Sequence, residues 1–238
     1  MAIQKNKIFY GAGLACPHFF LCNYCPRGSG PDRLSRSLLR FKSGEAPDRE
    51  AWIGCALEAL ENFDQSIAQP AHVLIIRALH HNERLPVGGT ALDLLGQMIA
   101  EKAGAVYFPS LLGKRRPTQK FTSLHKKSLR RGELEQVYYI HETPPVPEPT
   151  HVLLLDDIVT TGATVSAILR VVTKAMPRIR PLVFSLAKAS PDPSLNQGLS
   201  LKGNYGDWEG GWVLKEDEVA YGEWSLVQLR DLITGDAF

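Results

Sequence analysis

No run of apolar residues in this chain of 238 approaches the roughly 18 that a membrane-spanning helix needs, so no membrane partner is expected. The opening Met-Ala-Ile-Gln-Lys-Asn-Lys lacks both the apolar stretch of a signal peptide and the Arg/Ser bias of a transit peptide, and a cytoplasmic protein is expected. A strong charge of either sign is missing too. Lys and Arg number 27 against 25 Asp and Glu, so bulk charge gives no reason to expect a nucleic-acid partner. No internal repeat and no low-complexity tract is present. No Gly-Lys-Ser/Thr follows a glycine-rich loop, which excludes a Walker-type nucleotide site. Cysteine is scarce, with four residues (Cys16, Cys22, Cys25 and Cys55), all in the first quarter of the chain. In a reducing compartment such clustering points to a metal site or to buried thiols before it points to disulfides.

What is there divides into three stretches. Residues 1–70 hold the cysteines, a Gly/Pro-rich passage and two expected helices, Leu34–Lys42 and Arg49–Phe63. Residues 71–190 alternate strand and helix signals: strands at Val73–Ile76, Val106–Phe108, Val137–Ile140, His151–Leu155 and Leu182–Ala187, with helices at Thr90–Ala103 and Ala163–Lys174. That order predicts an α/β fold, a Rossmann-like parallel sheet flanked by helices. Residues 191–238 form a polar extension in which Asp and Glu outnumber Lys and Arg.

The most informative segment is Val152-Leu153-Leu154-Leu155-Asp156-Asp157-Ile158-Val159-Thr160-Thr161-Gly162-Ala163-Thr164. A buried strand ends in two carboxylates, and a short Thr/Gly loop then opens a helix. Backbone N–H groups at a helix N-terminus carry partial positive charge and bind phosphate. Thr160, Thr161 and Thr164 add hydroxyl donors, and Gly162 lets the backbone approach an anion closely. Asp156 and Asp157 can accept hydrogen bonds from adjacent sugar hydroxyls or act through Mg²⁺ and its waters. Phosphate on the loop and a diol on the carboxylates describe a ribose 5-phosphate site.

On these residues the chain resembles the type I phosphoribosyltransferases. Their fingerprint is four apolar residues, two acidic, two apolar, then Thr-Gly and a Thr two residues on. The resemblance implies that Asp156 and Asp157 contact the ribose hydroxyls of phosphoribosyl pyrophosphate (PRPP), and that Thr160, Thr161, Gly162, Ala163 and Thr164 hold its 5-phosphate. It implies Mg²⁺ with PRPP as substrate, and transfer of ribose 5-phosphate to a small-molecule nitrogen acceptor. After the first core strand it implies a pyrophosphate loop, for which His80, Asn82 and Arg84 are the candidates. The stretch Lys114–Arg131 has eight Lys and Arg and no acidic residue. At that place the family carries a mobile loop that stabilises departing pyrophosphate, which makes Arg115, Arg116 and Lys120 candidate catalytic cations. The other reading of the run is a solvated face or a polyanion contact.

The order of segments is most similar to the ComF (competence-protein) branch, with two departures. Pro86-Val87-Gly88-Gly89-Thr90 stands where the branch has Arg-Gly-Phe-Asn-Gln, and one Cys-x-x-Cys pair, Cys22 and Cys25, replaces two. Position 160 is Thr where hypoxanthine–guanine enzymes of the family have an acid/base Asp; a threonine hydroxyl does not move a proton at neutral pH. The acceptor stays open, as do a homodimer and, less favoured, a nucleic-acid-associated or regulatory PRPP-binding role without catalysis.

Cys16, His18, Cys22 and Cys25, with Cys55 as a replacement for His18, have a spacing that suits Zn²⁺ or, with thiolates alone, an iron–sulfur cluster. Leu14, Ala15, Phe19, Phe20 and Leu21 around them are apolar, so burial without metal is the alternative.

Overall fold

The structure, a computed structural model, describes residues 3–10, 14–25, 33–60, 72–118, 134, 136–144, 151–190 and 196. Its strands are β1 (Gln4–Phe9), β2 (Ala15–Tyr24), β3 (Val73–Arg77), β4 (Val106–Tyr107), β5 (Leu112–Lys114), β6 (Tyr138–Ile140), β7 (His151–Val159) and β8 (Arg180–Ala189). Its helices are α1 (Arg33–Ser43), α2 (Ala46–Ala59), α3 (Ala91–Ala103) and α4 (Ala163–Ala175). Six strands form one sheet in the order β1-β2-β8-β7-β3-β4. All neighbours run parallel except β1, which pairs antiparallel with β2 at the edge.

The central strands are apolar throughout because both faces of the sheet are covered. Side chains alternate along a strand, so Leu153 and Leu155 of β7 face one core while Val152 and Leu154 face the other. The first core adds Ile75, Phe184 and the buried faces of α1, α2 and α3, including Phe41, Trp52 and Leu95. The second adds Leu74, Ile76, Val183 and, from α4, Val165, Ile168, Leu169 and Val172. Each of these fully buried aliphatic side chains contributes about 1.5–3 kcal/mol relative to exposure. The α3 boundaries follow the sequence: Thr90 Oγ1 accepts the Asp93 N–H at 3.2 Å, and Gly104 ends the helix at a φ of 63°.

Helices α1 and α2 are locked together by a polar knot. Arg40 Nε lies 2.6 Å from Asp48 Oδ2, Ser37 also bonds Asp48, and Trp52 Nε1 donates to Ser37 Oγ at 3.0 Å. This knot fixes the last turn of α1, which carries Lys42 to the C-terminal edge of the sheet.

Two elements differ from the sequence expectation. The cysteine-bearing N-terminal segment supplies β1 and β2, and β2 pairs with β8 inside the main sheet. Its run Phe19-Phe20-Leu21 is a buried strand centre, read in the sequence only as the surroundings of cysteines. The Tyr138–Ile140 strand joins β5 in a separate antiparallel pair instead of the parallel sheet. Lys120, most of the basic run, the Gly/Pro-rich passage from residue 26 to 32, the end of the second expected helix and, apart from Asn196, the stretch 191–238 lie outside the described residues.

Among the described residues no helix is long and apolar enough to cross a membrane.

Candidate functional site

The C-terminal ends of β7, β3 and β2 open into a cleft of about 870 Å³. Open α/β sheets bind their ligands at this edge. Asp156 and Asp157 form its floor, still within β7, with Asp156 opposite Ser185 on β8. Each carboxylate touches the following backbone: Asp156 Oδ1 accepts the Asp157 N–H at 2.9 Å, and Asp157 Oδ1 accepts the Ile158 N–H at 2.7 Å. Lys42 Nζ, from α1, stands 2.5 Å from Asp157 Oδ2. Burial and the Asp157 charge beside it push the Asp156 carboxyl well above the ordinary carboxylate range, while Lys42 pulls the other way. Asp156 keeps part of its surface open to the cleft.

From β7 the chain passes through Thr160 and Thr161, both exposed, into α4. Gly162 starts that helix at a φ of 74°, a left-handed turn that favours glycine, and no side chain caps this end. The first-turn amides of a helix lack partners within it, so this end of α4 offers N–H donors and a positive dipole to an anion. Thr160, Thr161, Gly162, Ala163 and Thr164 all line the cleft with Asp156 and Asp157.

The opposite rim is the loop from Ala78 to Thr90, and a buried ion pair holds it. Arg77, at the end of β3, makes two bonds to Glu83, at 2.9 and 2.8 Å, and its Nε lies 3.6 Å from Asp93 Oδ1. Glu83 also accepts N–H groups of His80 and Val87, the second at 3.0 Å, which closes the loop on itself. The favourable charge of Arg77 and these hydrogen bonds outweigh burial and hold the Glu83 carboxyl below its usual range. Lys114, at the end of β5, is almost fully buried, and its ammonium donates to Leu79 O at 3.0 Å and His80 O at 2.7 Å. Burial lowers its pKa to about 8.

Of the expected pyrophosphate contacts, His80 and Asn82 line the cleft and bond each other. Arg84 is exposed and lies away from the cleft lining, while its carbonyl accepts the Lys114 N–H at 2.7 Å. Arg115 stacks over the Tyr139 ring, 5.4 Å from its centroid, and neither Arg115 nor Arg116 reaches the cleft wall.

The structure does not bring the cysteine set together. Cys16 packs in one core, and Cys22 and Cys55 in the other. Burial pushes the Cys16 thiol up to about 12. His18 is buried, its Nε2 is 2.8 Å from Ser185 Oγ, and burial lowers its pKa to about 4. Cys25 directly follows β2, and its N–H donates to Ser35 Oγ at 2.9 Å. Among the described residues no group of three or more His, Cys, Asp or Glu is placed to hold a metal ion.

Among the cleft residues that sequence reasoning did not single out are Lys42, Arg77 and Tyr24, and Lys114 was read only as the first residue of the basic run. For Arg77 and Lys114 a signal was there, a charged residue directly following an apolar strand or a glycine. For Lys42 and Tyr24 there was none, because what they face lies more than a hundred residues away in the chain.

No protein-family model matches the chain, and no curated protein matches it. Several solved structures match the chain, with TM-scores below 0.5. Adenine phosphoribosyltransferase from Saccharomyces cerevisiae, in complex with an imino-altritol bisphosphate and adenine, has a TM-score of 0.39 at 14% identity over 84% of this chain and 90% of that one. The xanthine–guanine–hypoxanthine phosphoribosyltransferase of Helicobacter pylori has a TM-score of 0.36 at 16% identity over 60% and 77%. Adenine phosphoribosyltransferase from Leishmania tarentolae has 0.37 at 14% over 73% and 91%.

Proposed function

We propose that this cleft binds PRPP and that the protein is a phosphoribosyltransferase. The observation that carries the reading is the adjacency of the Asp156–Asp157 pair and the uncapped N-terminus of α4 along one wall. A ribose diol hydrogen-bonds to the carboxylates while the 5-phosphate sits on the amides and hydroxyls of Thr160–Thr164. Pyrophosphate lies against the loop that Arg77, Glu83 and Lys114 stiffen, where the Lys114 charge faces the oxygens that gain negative charge on departure. The acceptor nitrogen supplies the electron pair of the new bond to C1, the C1–O bond breaks, and pyrophosphate leaves with its pair.

The donor set suits Mg²⁺. Two crowded carboxylates, one with its pKa raised by burial and by the other, are hard oxygen ligands whose repulsion a divalent cation relieves. Asp156 and Asp157 would hold that ion, directly or through water, and it would neutralise charge on PRPP. The segment order favours the ComF branch within this class. Thr160 in place of an acid/base carboxylate favours a second reading, a PRPP-binding regulatory module without catalysis.

A screen of nitrogen bases for PRPP-dependent pyrophosphate release, with Mg²⁺ present, separates these readings. Base-dependent release supports the transferase. PRPP binding without release for any base supports the regulatory module, and no PRPP binding at all rejects both.

A further inference from the structure

We infer that His80 and His81 form a site for one divalent transition ion of the class of Zn²⁺, on the rim of the cleft and apart from the Asp156–Asp157 pair. The two rings are neighbours in space as well as in the chain. His81 Nδ1 lies 3.0 Å from His80 Nε2, and the ring centroids are 4.0 Å apart. Both residues line the cleft. The backbone beneath them is held on several sides. The His80 N–H donates to Glu83 Oε2, and the His80 carbonyl accepts the Glu83 N–H at 3.0 Å and the Lys114 ammonium at 2.7 Å. The His81 carbonyl accepts the Thr118 N–H at 2.8 Å and the Thr118 hydroxyl at 3.3 Å. A pair of ligands on so fixed a frame loses little freedom when it takes up an ion.

The protons on the rings point the same way. Asn82 Oδ1 is the partner of His80 Nδ1, and an amide oxygen only accepts, so a neutral His80 carries its proton on Nδ1. His80 Nε2 is then a bare lone pair turned toward His81. Metal-binding histidines share this arrangement: the nitrogen away from the ion donates to an oxygen, which fixes the tautomer. Two imidazole nitrogens about 2.05 Å from one ion lie about 2.9 Å apart at a right angle and about 3.3 Å apart at the tetrahedral angle. The observed 3.0 Å falls within that interval. It is also the length of one N–H···N bond between the rings, and the ion takes the place of that shared proton. The Lys114 ammonium on the His80 carbonyl opposes a second cation, and the Glu83 carboxylate on the His80 N–H favours one. Imidazole suits Zn²⁺ and its neighbours, whereas Mg²⁺ prefers oxygen. Two protein ligands leave at least two positions of a four-coordinate ion open toward the cleft, where oxygens of an anionic ligand complete the shell.

The competing role for the two rings is the hydrogen bond alone. Co²⁺, a spectroscopic stand-in for Zn²⁺, is titrated into the full-length protein without PRPP. A visible absorption band should saturate at one equivalent, vanish when Zn²⁺ is added, and survive a large excess of Mg²⁺. His81→Gln and Asn82→Leu should each weaken Co²⁺ at least tenfold, since removing the partner of a ligating histidine costs about 10–100-fold in affinity. Asn82→Asp, which keeps the acceptor, should restore it. No saturable band, or a band unchanged in His81→Gln, overturns the site, and displacement by Mg²⁺ overturns it in favour of Asp156 and Asp157. A last arm rests on the PRPP reading: one equivalent of Zn²⁺ should tighten PRPP binding about threefold or more, and should not in His81→Gln. Unchanged PRPP affinity overturns the open positions facing the cleft. Failure of PRPP to bind at all removes that reading and leaves the Co²⁺ result to decide the site.

Discussion

Lys42 Nζ lies 2.5 Å from Asp157 Oδ2, a contact that joins the N-terminal helix α1 to the end of β7 across the floor of the cleft. It separates two neighbouring carboxylates by their surroundings. Asp157 has a cation of its own, whereas Asp156 is pushed toward its neutral form by burial and by Asp157. The N-terminal segment is thereby part of the cleft, placed there by the α1–α2 knot around Asp48 and by the pairing of β2 with β8.

The Arg77–Glu83 pair sets the shape of the pyrophosphate rim. Both side chains are nearly fully buried, so removing one leaves an uncompensated charge in the interior. Arg77→Met should cost about 3–5 kcal/mol of stability, measured by urea unfolding. A loss below about 1 kcal/mol would mean that water already reaches the pair.

Lys114 should make ligand binding sensitive to alkali. Its pKa of about 8 in the folded protein is below the ordinary lysine value because burial disfavours the charged form. The ammonium is present below that pH and lost above it, so PRPP affinity should fall as pH rises, by up to about tenfold at one unit above the pKa. The empty protein should respond in the opposite sense. Between the folded and unfolded pKa values the unfolded chain binds more protons, so this group adds stability as pH rises. Lys114→Met should flatten both trends, and a variant with unchanged pH profiles would place the effect elsewhere.

Legibility in the sequence was greatest where one short segment carried both the structure and the chemistry. Val152–Thr164 holds its strand, carboxylates, turn and helix start within thirteen consecutive residues; the strand Val152–Leu155 is buried in the cores, and the residues from Asp156 onward line the cleft. The reading weakened where meaning depends on distant partners. Arg77 signals a buried charge only once Glu83 and Asp93 are seen to converge on it. Cys16 and Cys22 look like a ligand cluster by spacing, but they are buried in separate cores, six residues apart along β2. The apolar residues between them were the better clue, because a ten-residue strand buried on both faces needs them.

Arg115 and Arg116 lie at the start of the basic run and outside the cleft lining in this structure. If the run closes over the site during turnover, Arg115→Ala with Arg116→Ala should slow pyrophosphate release by roughly 10²-fold, the scale of one preorganised charge contact, with little change in PRPP affinity. Turnover unchanged, with nucleic-acid binding weakened and its salt dependence flattened by one to two units of slope, would make the run a polyanion footprint.

The most direct test of the central claim is calorimetry of PRPP binding, with Mg²⁺, to the unaltered protein and to Asp156→Asn/Asp157→Asn. Hydrogen bonds to charged groups contribute about 1.5–3 kcal/mol each, so the double variant should bind at least tenfold more weakly, a difference of about 1.4 kcal/mol or more. The change removes negative charge from the floor of a site for a polyanion, so simple electrostatics without the diol contacts would strengthen binding. Weaker binding in the variant is therefore the result expected of a ribose site. Equal or tighter PRPP binding in the variant would contradict it.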